Sequence, residues 1–168
     1  VNYSELEADV LRLVVGATDD DARAFGEETV TRLVRPALLR GAAEDELTDE
    51  ARVALATACG NVLTISAAEL RDKLATIYDG ILVEDDLDTG VLTAVSALAH
   101  WKSYLEQNRR GELYELAIRS IEDVDHEVSA DLDDFLATPE MAAEHDRIRR
   151  LLEPAGSRPG FRPGPRQG

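Results

Sequence analysis

The sequence predicts an all-α protein: a single-domain antiparallel helical bundle of about seven helices, followed by a disordered C-terminal tail. Three observations carry this expectation. Apolar residues recur at helical spacing along nearly the whole chain, and no stretch alternates strictly between polar and apolar. Aromatic residues make up only 5% of the 168, so the core must be built from Ala, Leu, Val and Ile, which suits closely packed helices. Capping residues, glycines and prolines interrupt the pattern at intervals that leave only short connections. A chain of this length normally makes one domain, burying roughly two thirds of its unfolded surface.

The elements follow in order. Ser4 can cap a first helix with Leu6, Val10, Leu13 and Val14 on one face. "GATDDD" (16–21) is a break, and its acids suit the positive end of the next helix. That helix presents Phe25, Thr29, Leu33, Ala37 and Leu38, and Pro36 should kink or end it. "RGAAEDELTDE" (40–50) reads as a loop or frayed turn. Thr48 caps a third helix with Val53, Leu55, Cys59 and Val62 as apolar positions, and Gly60-Asn61 weakens its end. Ser66 and Glu69 have capping-box spacing and open a fourth helix carrying Leu70, Leu74, Ile77 and Ile81.

The clearest helix runs from Asp88 to about Asn108, with Val91, Ala94, Val95, Leu98, Trp101 and Leu105 on its stripe. Gly111 is expected to supply a left-handed stop. The next helix should place Leu113, Ala117, Ile121, Val124, Val128, Leu132 and Phe135 on one stripe. Thr138-Pro139 then opens a last helix with Met141, His145, Ile148 and Leu152. The helical domain is thus expected over 1–152. Residues 153–168 hold four of the six prolines and read as a disordered tail.

Charge bounds the function. Lys and Arg number 18 against 34 Asp and Glu, a net of −16. Residues 1–152 alone carry 15 basic and 33 acidic side chains, a net of −18. Such a body repels nucleic acid and anionic membranes, and its charge serves either to attract a cationic partner or only to keep the protein in solution. Cys59 is the sole cysteine, so no intramolecular disulfide can form. No signal-peptide pattern and no apolar run of about 18 residues is seen, so a cytoplasmic protein is expected. Lysine occurs only at Lys73 and Lys102 amid abundant Arg, Ala, Asp and Glu, a bias that suits a GC-rich bacterial source.

No motif supplies a catalytic set. "EDDLDTG" (84–90) resembles a calcium loop, but with Gly90 in sixth place Leu87 and Ser96 stand where oxygen ligands are required. A magnesium–diphosphate reading fails because Thr89 replaces the third acid. What remains is a helix entrance capped by Asp88. A di-iron bundle would need two Glu-x-x-His pairs, and only Asp123-x-x-His126 comes near. The MazG-type pyrophosphatases hold magnesium with acid pairs on adjacent helices. Here Glu112/Glu115 and Glu122/Asp125 are so close in sequence that one helix carries both. Cys59 lies on an apolar stripe and reads as structural. In "HEVSADLDDF" (126–135), a helix would align Glu127, Asp131 and Asp134 on one flank, which reads either as a solvated outer face or as a docking face for a basic surface.

Three stretches carry a resemblance. "VLTAVSALAHWKSYL", "GELYELAIRSIEDVDHEV" and "TPEMAAEHDRIRRLLE" resemble consecutive helices of the YjaG-like family of uncharacterised helical bacterial proteins, over about 88–152. Where that family has an arginine three residues before an early proline, this chain has Leu33 before Pro36. The resemblance implies an all-α fold and no established activity.

The expectation is therefore a non-enzymatic acidic binding protein without a cofactor or metal. Its partner would be a protein with a basic surface, for example a toxin that an immunity-type inhibitor occludes. Candidate partner-binding residues are Asp85, Asp86, Asp88, Glu127, Asp131 and Asp134. The alternatives are a magnesium-dependent nucleotide pyrophosphohydrolase and a structural homodimer or larger homo-oligomer built through helix 88–108.

Overall fold

The computed structural model describes residues 1–83 and 85–154. Among these residues there are seven α-helices and no β-strand, as the periodicity predicts. They are α1 (Tyr3–Gly16), α2 (Asp19–Arg40), α3 (Asp49–Gly60), α4 (Ala67–Asp79), α5 (Thr89–Gln107), α6 (Arg110–Val128) and α7 (Pro139–Leu152). The chain forms two compact units, one of residues 1–25 with 121–168 and one of residues 26–120. Their boundaries fall inside α2 and α6.

In the first unit α1 packs on α7. Leu6, Val10, Leu13 and Val14 are the buried face of α1, as their spacing predicts. Its cap is Asn2, not Ser4: the Asn2 side chain accepts the Glu5 N–H at 2.9 Å, and Glu5 accepts the Asn2 N–H at 2.8 Å. Ser4 lies within the first turn because this reciprocal box begins two residues earlier.

The long stripe expected to reach Phe135 ends sooner. The helix stops at Val128, and Ser129 takes φ +51°. Asp125 holds the exit: its carbonyl accepts the Ser129 N–H at 2.7 Å, and its carboxylate accepts the Ala130 N–H at 2.8 Å. Leu132 is therefore exposed on a loop. Phe135 is buried from that loop, meeting the Tyr3 ring edge-on at 5.0 Å. Two backbone bonds, Tyr3 N–H to Leu132 C=O and Phe135 N–H to Val1 C=O, tie the loop to the start of α1.

The close of α7 also differs from expectation. Glu153, assigned to the tail, caps the helix. Its N–H donates to the Arg149 carbonyl at 2.8 Å, and its carboxylate accepts from the Arg149 guanidinium at 2.9 Å. Of the expected tail, 155–168 lies outside the described residues.

In the second unit α4 packs against both α3 and α5. Pro36 neither ends nor breaks α2, which continues to Arg40. The lost N–H costs one bond in a long helix, and Ala37 just beyond is buried and holds the last turn in place. Leu38, expected inside, is 45% exposed. Thr48 and Ser66 cap α3 and α4, accepting the Ala51 N–H at 3.2 Å and the Glu69 N–H at 3.1 Å. The buried face of α3 runs through Ala51, Ala54, Leu55, Ala58 and Cys59, which leaves Val53 exposed. The small alanines decide the face because they allow the close approach of α4.

Ile81 lies past the end of α4, in an isolated antiparallel bridge with Leu47. Thr48 N–H donates to Gly80 C=O, and Leu82 N–H to Glu46 C=O, both at 2.9 Å. The loop 41–48 is thus pinned to the segment leaving α4. Asp88 caps α5 as predicted, accepting the Gly90 N–H at 3.0 Å. The left-handed stop is Asn108 at φ +52°, and Gly111 belongs to α6. Asn tolerates that conformation through its short polar side chain, so the turn closes three residues before the glycine. Trp101 is buried, with its indole N–H donating to Val62 C=O at 3.1 Å. Tyr104 is buried, while Leu105, which the stripe places inward, is half-buried.

Candidate acidic docking surface

The pinning of 41–48 against Ile81, Leu82 and Asp88 creates a groove. It is a cavity of about 520 Å3 lined by Arg40, Gly41, Ala42, Ala43, Asp45, Glu46, Val83, Asp86 and Asp88. Glu46 is the fastener. One carboxylate oxygen accepts the Asp88 N–H at 2.6 Å, and the other accepts the Ala43 N–H at 3.1 Å. One side chain therefore fixes both the loop and the entrance to α5. Gly41 turns the chain out of α2 at φ +66°, a conformation that favours glycine.

The predicted acids fall out as follows. Asp86 and Asp88 line the groove, and Asp85 is exposed beside it. Glu84 lies outside the described residues. The Asp88 carboxylate is committed to the α5 cap, so Asp85 and Asp86 present the more available charge. Glu127, Asp131 and Asp134 belong to the other unit and are all exposed. They do not share a helix flank, because only Glu127 is helical. Asp131 instead accepts the Asp133 N–H at 2.9 Å within the loop. The docking face expected at helical spacing is thus replaced by one helix-terminal acid and an acidic loop.

Asp45 and Glu46 were legible only as part of a loop. Glu46 owes its role to Leu82 and Asp88, about forty residues away, and local spacing carries no trace of that. Arg40 is similar: it ends α2 and faces into the groove wall.

Histidine partners were also hidden from spacing. His100 Nδ1 lies 2.8 Å from Glu112 Oε2, linking α5 to α6. His145 Nε2 lies 2.8 Å from Asp9 Oδ2, linking α7 to α1. Both are half-buried boundary residues, and His126 is exposed. Burial pushes the Asp9 carboxyl up, but hydrogen bonds from Arg12 and His145 outweigh it and hold the group below its ordinary value. Beside them, buried Glu144 forms a two-pronged pair with Arg147, whose guanidinium sits 5.7 Å from the Phe25 ring centre. These contacts fasten α7 in place, and their acids are spent on structure.

Catalytic readings find little support in the geometry. Burial pushes the Cys59 thiol up to about 12, which leaves it protonated and unreactive at neutral pH. Glu112, Glu115, Glu122 and Asp125 all lie on α6, with Glu112 engaged by His100 and Asp125 by the helix exit. Among the described residues no three His, Cys, Asp or Glu side chains converge as a metal set. Among them, too, no helix is long and apolar enough to cross a membrane. No protein-family model, curated protein or solved structure matches this chain.

Proposed function

We propose that this protein is a non-enzymatic acidic helical binding protein whose partner is a protein with a basic surface. An immunity-type inhibitor that occludes a cationic toxin, such as a nuclease domain, is the specific form of this reading. The observation that carries it is that Asp86 lines the groove whose walls Glu46 fastens, with exposed Asp85 next to it in sequence. Carboxylates on a pre-formed surface lose little freedom when they meet Arg or Lys side chains. The net charge of −16 would steer such a partner in from a distance. The likeness of 88–152 to the YjaG-like family belongs to this proposal and adds no activity to it.

The test purifies the products of the neighbouring reading frames and titrates any that carries a basic nuclease domain against this protein. Calorimetry should show binding that weakens steeply with added salt, together with loss of nuclease activity. The Asp85→Asn/Asp86→Asn protein should bind at least about tenfold more weakly, mainly through slower association. Asp88→Asn retains a good cap and removes one charge, so it separates the cap from the field. No binding at low salt, or binding indifferent to salt and to these substitutions, removes the proposal.

A further inference from the structure

The end of α2 carries an arrangement that the docking proposal does not use. Leu39 is 76% exposed and Leu38 45% exposed, side by side in the last turn. That turn lies between two neighbours. A side chain begun at Gly60, the end of α3, would come within 3.8 Å of Leu38, and one begun at Gly90, in α5, within 3.6 Å of Pro36. The leucines therefore crown a supported surface instead of a loose end.

Arg35 and Arg40 flank them, both exposed. Several other arginines meet carboxylates: Arg12 meets Asp9, Arg71 meets Glu106, and Arg147 meets Glu144. Among the described residues no carboxylate pairs with Arg35 or Arg40. A cationic rim around an apolar crest is unusual in a chain of net charge −16, and its complement is an acidic surface. This chain provides one at the same place, because Arg40 and Asp86 line the same groove. A surface holding both signs beside an apolar centre is what a two-fold interface requires, since the same patch must serve as both partners.

We propose that the last turn of α2 is the centre of a two-fold interface with a second copy of this chain. Leu38 and Leu39 pack on their counterparts, and Arg40 of each copy meets Asp86 of the other. The interface shares Asp86 with the docking proposal but does not rest on it, and its test needs no foreign partner.

Sedimentation velocity on the full chain at about 0.15 M salt reads the result, with the far-ultraviolet spectrum and Trp101 emission as checks on folding. The wild type should form a reversible dimer. Leu39→Gln, a change at an exposed helical position, should raise the dimer dissociation constant about thirtyfold. Arg40→Glu alone places like charges opposite each other, and so does Asp86→Arg alone, so each should be monomeric. Mixed in equal amounts, the two variants should form a heterodimer, because each then offers the sign the other needs. That rescue cannot come from a folding defect in either protein. A wild type that stays monomeric at the highest attainable concentration overturns the proposal. So does a dimer that Leu39→Gln leaves intact, or a mixture that stays monomeric.

Discussion

Replacing Gly26 by Val probes how tightly α2 is seated on the tryptophan. A Cβ built at Gly26 lies 2.7 Å from Cζ3 of Trp101 and 2.7 Å from Cδ2 of Leu113. Carbon atoms settle at about 3.5–4.0 Å, so both contacts are roughly 1 Å too short. Leu113 can swing a methyl away. Trp101 cannot yield so easily, because its ring is buried and its N–H is tied to Val62 C=O. Letting the ring move would forfeit a bond worth about 1 kcal/mol. Overpacking of this kind costs about 1–3 kcal/mol, and Val recovers only about 0.4 kcal/mol in helix propensity over Gly. The expected net loss is about 2 kcal/mol, a fall of about 4–8 °C in Tm for a protein of this size. Urea denaturation followed by helical circular dichroism gives the stability. Trp101 is the sole tryptophan, so its emission reports directly on the disturbed ring. A Gly26→Val protein as stable as wild type, with unchanged emission, would refute the close approach of α2 to Trp101.

Three further substitutions have expected outcomes. Gly111→Ala should stabilise the protein by about 0.5–1 kcal/mol, because Gly111 is helical and a Cβ there meets nothing within 4 Å. Asn108→Ala should cost about 1 kcal/mol, since Asn108 holds φ +52°; thermal melts that reverse the two signs would place the left-handed stop at the glycine after all. Asp9 has a folded pKa below its unfolded value, so its contribution to stability is present above about pH 4 and is lost as pH falls through the folded value. Asp9→Asn should therefore flatten the acid limb of a stability–pH curve, and an unchanged acid limb would remove Asp9 as a contributor.

Helix existence was largely legible because it depends on local spacing. The stripes of α1, α4 and α5 were visible as i, i+3, i+4 patterns, and Thr48, Ser66 and Asp88 were visible as caps. The misreadings share a cause: each turned on a tie that spacing cannot encode. Phe135 continues the α6 stripe in sequence, yet it is buried through Tyr3 from a loop. Val53 is the larger apolar residue, but alanines decide which face of α3 lies against α4. Gly111 has the right composition for a stop, while Asn108 closes the turn first.

The candidate site was half legible for a related reason. The acids of "EDDLDTG" were visible, and Asp88 was legible as the cap of a helix entrance. What gives them a surface is Glu46, which holds the Asp88 backbone from forty-two residues away. That tie alters how the six candidate acids should be ranked. An acid on a loop must be ordered before it can meet a cation, at a cost of about 1–2 kcal/mol per residue fixed. Asp86 stands next to a backbone already held by Glu46 and by the α5 cap, so less of that cost remains. Asp131 and Asp134 occupy a loop tied at its middle through Leu132 and Phe135, and their carboxylates are partly spent: Asp131 accepts the Asp133 N–H, and Asp134 lies 3.8 Å from the Val1 ammonium. Equal formal charges therefore do not make equal docking residues, and the preference for the 85–88 triplet arises from the fold around it.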